Sequence, residues 1–212
     1  MYFITAIIPA FNEEKTIGKV ISTVKKVDLV DNIIVVSDGS KDDTVYIANK
    51  FNVEVIELKE NLGKGCAIKR GVEESKGNIL VFLDADLVGL TPEHITSLLT
   101  PLISDEYHMS IGVFNHGRIY TDFAQKITPF LSGQRAIKRE IFDEVPNIDI
   151  MNYGVEMALT KFIKQNRFKV IEVPLKDLTH LMKEEKMGII KGFKERLKMY
   201  LEILKFIITD VK

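Results

Sequence analysis

Two aspartates that directly follow a buried apolar run are the residues of this chain best suited to carry chemistry. Residues 79–83 are Ile-Leu-Val-Phe-Leu, and Asp84 and Asp86 come next with only the small Ala85 between them. Such a run is typical of a central strand of a parallel sheet, whose carboxyl end is where open α/β sheets bind ligands. Two carboxylates there suit a hard divalent cation that keeps open positions for phosphate oxygens. Since an isolated Asp-x-Asp usually caps a strand or starts a turn, a nucleoside diphosphate site depends on the neighbouring motifs.

Polar residues also follow the three strands predicted before this run. Asn12 and Glu13 stand in the loop after the first strand, although Glu13 alone would simply favour a helix N-terminus. Asp38 follows the second strand and could accept hydrogen bonds from a ribose or base. After the third strand, the glycines of residues 63–65 let the backbone approach a ligand closely, and Lys64 between them could meet a phosphate or base.

The glycines near Lys64 match neither of two common phosphate-binding motifs. The dinucleotide fingerprint needs a third glycine where this chain has Ile68, and it follows the first strand instead of the third. A P-loop needs Ser or Thr after Gly-Lys, and this chain has Gly65 there. The sequence therefore argues against both a Rossmann dehydrogenase and a P-loop enzyme.

Strands that alternate with helices must position these loops. The predicted strands are residues 2–9, 32–37, 53–58, 78–83, 108–114 and 168–173, the last ending at Pro174. The predicted helices are residues 13–26, 42–51, 64–75, 91–104, 153–165 and 189–208. This alternation predicts an α/β fold with a parallel sheet, whose ligand-binding loops share one edge.

Composition narrows the classes of function. The 212 residues predict one domain, and a net charge of -1 argues against nucleic acid as the main partner. The single cysteine, Cys66, excludes an internal disulfide and a cysteine-based zinc cluster, and fits a reducing compartment. The N-terminus predicts a strand and not a signal peptide, and no segment approaches the ~18 apolar residues that span a bilayer. We therefore expect a cytoplasmic protein, or one at the inner face of a membrane.

Four ordered motifs resemble those of the family 2 glycosyltransferases. They are Ile-Pro-Ala-Phe-Asn-Glu-Glu at 8–14, Val-Ser-Asp-Gly-Ser at 36–40, Asn-Leu-Gly-Lys-Gly at 61–65 and Phe-Leu-Asp-Ala-Asp at 82–86. Four motifs in this order are far more specific than any one of them. The resemblance implies a GT-A fold, with a central mostly parallel mixed sheet flanked by helices. It also implies a nucleotide-sugar donor, UDP- or GDP-linked, and a Mg²⁺ or Mn²⁺ ion.

The same resemblance implies roles for individual residues. Those implied to line the nucleoside pocket are Pro9, Ala10, Asn12, Glu13 and Asp38. Lys64 would help to hold the base or diphosphate. Asp84, Ala85 and Asp86 would serve the ribose, the sugar and the metal. Ser37 stands where many members have the first of two aspartates, so base recognition stays open.

A third metal ligand is expected from outside the Asp-x-Asp. The chain also resembles dolichol-phosphate mannose synthases and related polyprenyl-phosphate enzymes, which usually have a polar residue where this chain has Val88. Valine cannot ligate a metal. His180 is then the candidate, in an arrangement similar to glucosyl-3-phosphoglycerate synthases, in which a C-terminal histidine completes the metal shell. A lone histidine is more often structural, and that is our interpretation of His94, His108 and His116.

The acceptor side is predicted in the middle of the chain. In the segment 129–136, Gly133 permits close approach to a sugar, and Gln134 and Arg135 can donate to phosphate or hydroxyl oxygens. By the resemblance, Glu156 occupies the place where these enzymes often carry an acidic acceptor-side residue, although it could equally be a solvated helix residue. A phosphate acceptor needs no general base, whereas a hydroxyl acceptor of an inverting enzyme does, and Glu156 is the candidate. The predicted catalytic residues are thus Asp86, Arg135 and Glu156.

The expected reaction is transfer of a hexose to a phosphate-bearing or hydroxyl acceptor, such as a polyprenyl phosphate or a small soluble acceptor. The other classes are a sugar-phosphate nucleotidylyltransferase, whose glycine-rich loop this chain lacks after its first strand, and a non-catalytic nucleotide-sugar binding module. Within one domain, 1–212, we expect a nucleotide-sugar half (1–90), an acceptor half (91–180) and a basic amphipathic C-terminal helix (181–212). Residues 189–208 of that helix either contact an anionic membrane or pack on the domain. A homodimer is an open alternative.

Overall fold

The structure is a computed structural model that describes residues 2–115, 132–146 and 155–180. The chain divides into two units, Met1–Thr179 and His180–Lys212, and His180 is the one described residue of the second. Residues 116–131, the segment 147–154 and the predicted helix 189–208 lie outside the described residues. None of the described helices is long and apolar enough to cross a membrane. The division of 1–212 into functional halves of one domain stays a prediction.

The helices and strands alternate through the first half, as the sequence pattern predicts. The described strands are β1 (Ile4–Ala10), β2 (Asn32–Ser37), β3 (Glu54–Glu57), β4 (Ile79–Phe82), β5 (Leu87–Val88), β6 (Met109–Asn115), β7 (Arg135–Lys138), β8 (Val170–Lys176) and β9 (Thr179–His180). The described helices are α1 (Ile17–Val24), α2 (Thr44–Asn49), α3 (Lys64–Glu74), α4 (Pro92–Ile103), α5 (Arg139–Asp143) and α6 (Val155–Gln165).

Among the described residues, seven strands form one sheet in the order β3-β2-β1-β4-β7-β6-β8. The first four strands of that order are parallel, β7 is antiparallel to both of its neighbours, and β8 is parallel to β6. The sheet is therefore mixed and mostly parallel, which confirms the predicted fold class. Ile7 of β1 lies between Ile34 of β2 and Phe82 of β4, so the loops that follow these three strands begin at the same edge.

The core lies on both faces of this sheet. Successive side chains of a strand point to opposite faces, and along β1 they alternate between two apolar clusters. Ile8 packs in the cluster that includes residues of α1 and α4, and Ile7 packs in the cluster that includes residues of α3 and α6. A Cβ placed on Gly71 of α3 would lie 2.7 Å from Ile7 Cγ2, so only glycine permits this close packing of α3 on the sheet. The close packing fixes the start of α3, where Lys64 stands.

The described strands differ from the prediction in several places, and the two-residue strands β5 and β9 were not predicted. β8 continues through Pro174 to Lys176, so the predicted end at Pro174 is wrong. As the edge strand of the described sheet, β8 can accept a proline because the missing N–H need not enter a ladder. β7, a four-residue strand with Arg135 and Lys138 at its ends, was not predicted, because its pattern is too short and too charged to resemble a strand.

Candidate active site

The loops after β1 and β2 are joined by hydrogen bonds that use their polar residues. The Asn12 N–H donates to Ser40 Oγ (3.1 Å), and Asn12 Oδ1 accepts from the Lys41 N–H (2.8 Å). The Glu13 N–H donates to Thr44 Oγ1 (2.7 Å). Asn12 has a φ of 56°, a left-handed conformation that asparagine tolerates better than most residues. Asn12 therefore fixes the two loops against each other at the ligand-binding edge.

Asp38 anchors the third loop of this edge. Its side chain is 4% exposed, its Oδ1 accepts from the Leu62 N–H (2.7 Å), and its Oδ2 accepts from the Gly63 N–H (2.9 Å). Gly39 has a φ of 69°, and a Cβ there would lie 2.5 Å from the Glu60 carbonyl carbon. Asp38 and Gly39 thus hold the loop that leads into α3. Whether Asp38 also contacts a nucleoside stays a prediction.

Lys64, the first residue of α3, lies between two carboxylates from distant parts of the chain. Its Nζ is 2.6 Å from Asp84 Oδ1 and 2.5 Å from Glu156 Oε1. Burial alone would lower the pKa of Lys64, but the charges of Asp84 and Glu156 outweigh it and hold that pKa well above its ordinary value. Lys64 is therefore a fixed cation at neutral pH. It connects the strand end that carries Asp84 with the first turn of α6.

The structure brings Asp84, Asp86 and His180 together. One ligand atom from each of these residues lies within 4.8 Å of the others. The two-residue strands β5 and β9, which pair with each other, carry the chain to this point. Gly89, with a φ of 86°, makes their approach possible because a Cβ there would lie 2.4 Å from the Asp177 carbonyl oxygen.

The donor set of this group fits a divalent cation. Carboxylates suit Mg²⁺ and Mn²⁺, and an imidazole favours the softer Mn²⁺. Val88 is exposed and offers no ligand atom, as the sequence predicts. The three residues were predicted as one metal site, and their juxtaposition fits that prediction. Their roles in binding stay a prediction.

The sequence of this chain is similar to those of several known proteins. The family model described as glycosyl transferase family 2 matches residues 5–164. The chain belongs to this family. A relative from Mycolicibacterium smegmatis, a glucosyl-3-phosphoglycerate synthase, is 29% identical over 74% of this chain. An uncharacterised protein of Methanocaldococcus jannaschii is also 29% identical, over 94% of this chain and 91% of its own length.

A solved structure is similar over most of the chain. It is glucosyl-3-phosphoglycerate synthase from Mycobacterium tuberculosis in complex with Mn²⁺, UDP-glucose and phosphoglyceric acid. It has a TM-score of 0.72 and 30% identity, and the match covers 85% of this chain and 72% of that one. The chain spans only 62% of the length of the Mycolicibacterium smegmatis relative. The α/β architecture of this family 2 chain is thus that of the GT-A enzymes.

In this glycosyltransferase fold, Gln134 and Arg135 are buried instead of lining a cleft. Gln134 is 0% and Arg135 1% exposed, because β7 lies between β4 and β6 inside the sheet. Gln134 Nε2 donates to Asp84 Oδ2 (2.9 Å), and Arg135 Nε donates to the Ser132 carbonyl oxygen (2.7 Å). These donors, expected to face an acceptor, bind protein oxygens here. Gln134 therefore contacts Asp84 from the protein interior.

Other predicted residues take places that their types explain. Pro9, Ala10 and Ala85 are buried at the sheet edge, so their side chains fill space beneath the loops. His94 closes the N-terminus of α4 by a reciprocal pair of hydrogen bonds with Thr91. His108 Nδ1 accepts from the Lys169 N–H (3.1 Å). The structural interpretations of His94 and His108 are confirmed, and His116 lies outside the described residues.

Sequence reasoning missed Thr160, whose side chain is buried beside this network. Its Oγ1 accepts from Arg135 Nη1 (2.7 Å) and donates to the Glu156 carbonyl oxygen (2.7 Å). A threonine four residues after Glu156 was the available signal, since a helical hydroxyl often bonds the carbonyl one turn earlier. That signal does not show that Arg135 of β7 donates to the same hydroxyl.

Gly133→Ala is expected to lower activity less than tenfold with little loss of stability. A Cβ at this position would lie 2.6 Å from Asp84 Oδ2 and 2.6 Å from Lys64 Nζ, so the ion pair must shift. The initial rate and the melting temperature of the purified variant would check this. Gly18→Ala in α1, where a Cβ would lie 3.2 Å from Ile47 Cγ2 of α2, is the matched control. Equal activity in the Gly133 and Gly18 variants would contradict the role of the close approach.

Asp38→Ala is expected to lower both the melting temperature and the affinity for nucleoside diphosphate, the latter by about three- to tenfold. The variant removes both acceptors of the Leu62 and Gly63 N–H groups, and unsatisfied donors of this kind cost about 1–3 kcal/mol. Asp38→Asn keeps one acceptor oxygen, so its melting temperature and its affinity should lie between those of the parent and those of Asp38→Ala. Parent-like melting and affinity in Asp38→Ala would show that the loop needs no such anchor.

Proposed function

We propose that this chain transfers a hexose from a UDP-sugar to a small phosphorylated acceptor, in a metal-dependent reaction. The observation that carries the proposal is the group Asp84, Asp86 and His180, whose ligand atoms lie within 4.8 Å at the carboxyl edge of the sheet. Membership of glycosyl transferase family 2 supports the reaction class. The similar solved structure was obtained with Mn²⁺, UDP-glucose and phosphoglyceric acid, and this supports the choice of substrates.

The donor would bind across the three loops that follow β1, β2 and β3. These loops are held by Asn12 and Asp38, so their backbone positions exist before a ligand arrives. Preorganised loops reduce the ordering cost of binding. Asp84, Asp86 and His180 would hold the metal beside the diphosphate. When bound, a divalent cation supplies positive charge that stabilises the departing diphosphate.

Lys64 and Asp84 would orient the sugar between the two halves of the site. Asp84 is held from two sides, by Lys64 Nζ at 2.6 Å and by Gln134 Nε2 at 2.9 Å, so its carboxylate has one orientation. The Lys64 ammonium is directed by Asp84 and Glu156 and provides a second fixed charge near the phosphates. Together these residues would place the reacting bond.

Glu156 would contact the acceptor from its place beside Lys64. Its Oε1 accepts from Lys64 Nζ at 2.5 Å, so its carboxylate is held in one orientation beside Lys64. For a hydroxyl acceptor, Glu156 would accept its hydrogen bond and take up its proton as the hydroxyl oxygen bonds the sugar carbon and the nucleoside diphosphate departs. If the acceptor oxygen belonged to a phosphate, no base would be required.

The proposal is tested by nucleoside diphosphate release with a panel of donors and acceptors. UDP-glucose, UDP-galactose and GDP-mannose would each be incubated with Mn²⁺ and with 3-phosphoglycerate, glycerol 3-phosphate or a polyprenyl phosphate. We expect UDP release with UDP-glucose and a small phosphorylated acceptor. Nucleoside diphosphate release that needs the polyprenyl phosphate would instead indicate a lipid acceptor. Pyrophosphate release would indicate a nucleotidylyltransferase, and binding without release would indicate a binding module.

Location and assembly follow from the choice of acceptor. A small phosphorylated acceptor is dissolved in the cytoplasm, so we propose that the chain acts there without a membrane. Sedimentation with anionic vesicles would test contact through residues 189–208, and light scattering would test a homodimer. Vesicle binding that raises the rate with a lipid phosphate would contradict the cytoplasmic proposal.

A further inference from the structure

The buried guanidinium of Arg135 is a feature that the proposed reaction leaves unexplained. Arg135 is the largest of the fully buried side chains among the described residues. Taking an ion out of water costs several kcal/mol unless its partners compensate, so charged residues are seldom fully buried unless they are paired. Arg135 Nε donates to the Ser132 carbonyl oxygen, and Nη1 donates to Thr160 Oγ1, each at 2.7 Å.

Thr160 connects this guanidinium to the helix turn that carries Glu156. Its side chain is 3% exposed and its hydroxyl has two bonds, one accepted from Arg135 and one donated to the Glu156 carbonyl oxygen. Glu156 stands one turn before Thr160 in α6, and its carboxylate meets Lys64. A single hydroxyl therefore lies between the cation on β7 and the backbone of the acceptor-side residue.

The positive charge of Arg135 fits the number of carboxylates in the site. Three carboxylates, those of Asp84, Asp86 and Glu156, lie in one region with the cation of Lys64. The carboxylates of Glu156 and Asp84 raise the pKa of Arg135, but burial outweighs them and lowers it to about 10, so the guanidinium is charged at neutral pH. Arg135 thus offsets carboxylate charge from inside the protein.

We propose that Thr160 is a positioning residue of the transfer reaction, which holds the Arg135 guanidinium against the first turn of α6 so that Glu156 stays directed at Lys64. The inference rests on the proposed function, since Glu156 is assigned to the acceptor. Asp84 holds Lys64 independently of Thr160. Loss of the Thr160 hydroxyl should therefore affect the step that involves the acceptor and spare the binding of the donor.

Thr160→Val and Thr160→Ser test this inference in the full chain. Valine keeps the shape but removes the hydroxyl, and serine restores it. We expect Thr160→Val to lower kcat roughly five- to tenfold, the factor that one hydrogen bond is worth. The Kd of UDP with Mn²⁺ should stay within about twofold, and Thr160→Ser should recover most of the lost rate. Ser110→Ala, which loses a buried hydroxyl bond to the Leu98 carbonyl (2.6 Å), is the control for stability and should keep kcat.

A double variant tests whether Thr160 acts through Arg135. If it does, Thr160→Val added to Arg135→Lys should lower kcat no further than Arg135→Lys alone, because residues in one network are not additive. Equal kcat in parent and Thr160→Val, full additivity, or a parallel loss of UDP affinity would each overturn the inference. A parent protein that releases no nucleoside diphosphate from any donor would instead overturn the proposed function, whereas an active parent leaves the two questions separate.

Discussion

Asp86→Ala is expected to abolish metal-dependent turnover while the protein stays folded. Asp86 lies past the end of β4 with a partly exposed side chain, so truncating it removes little core packing. A bound cation contributes several kcal/mol to the stabilisation of transition-state charge, and each 1.36 kcal/mol is tenfold in rate. The expected loss is therefore roughly 10³-fold or more. It should appear both in the rate and in the Mn²⁺ dependence of donor binding.

The measurement compares UDP release and Mn²⁺-dependent UDP binding in parent and variant at equal folded fraction. Asp28→Ala is the matched control, because Asp28 is an exposed carboxylate that precedes β2, at the opposite edge of the sheet. We expect parent-like behaviour in that control. An Asp86→Ala protein with an unchanged metal requirement would remove Asp86 from the metal site.

The parallel part of the sheet was predictable because its signals are local. Residues 79–82 form a buried β4, and β2 has the predicted bounds, since continuous apolar runs between polar loops have few other solutions. β7 was not predictable from such signals. Its buried Arg135 is stable there because Ser132 and Thr160 accept its hydrogen bonds, and those partners come together only in the folded chain.

The residues of the candidate site also include some that local signals predict and others that they do not. Asp84, Asp86 and Lys64 were predicted from motifs at strand ends, and their closeness follows from the shared edge of a parallel sheet. The burial of Gln134 depends on a strand inserted between β4 and β6, which no local pattern reports. An arginine or glutamine in a polar stretch is usually exposed. For this reason the sequence does not distinguish a side chain that contacts Asp84 from the protein interior from one that contacts a ligand.

His180 shows what resemblance adds to local reasoning. His180 lies 94 residues after Asp86. This separation is longer than the spacing within any local metal-binding motif, so spacing alone does not predict His180 as a ligand. The missing ligand at Val88 suggested that another residue must complete the site. In the structure the paired strands β5 and β9 provide the route by which His180 reaches the aspartates.

His180→Ala is expected to weaken Mn²⁺ binding by roughly 10–100-fold, with the loss of a second-shell residue as the lower guide. Asp84 and Asp86 would still hold some metal, so the loss should be partial, unlike that of Asp86→Ala. An imidazole favours Mn²⁺, whereas Mg²⁺ prefers oxygen ligands. Removal of the ring should therefore cost Mn²⁺ more than Mg²⁺ and narrow the preference between the two ions.

The decisive measurement is the affinity for each ion with UDP present, in parent, His180→Ala and His108→Ala. His108 is the matched control because it is a partly buried histidine whose Nδ1 accepts a backbone N–H. Its removal should leave metal affinity unchanged. If His180→Ala binds Mn²⁺ like the parent, the histidine only closes the β5–β9 pair. A loss of affinity that is equal for both ions would mean that the ring shapes the site without ligating the metal, since only a bound imidazole discriminates between them.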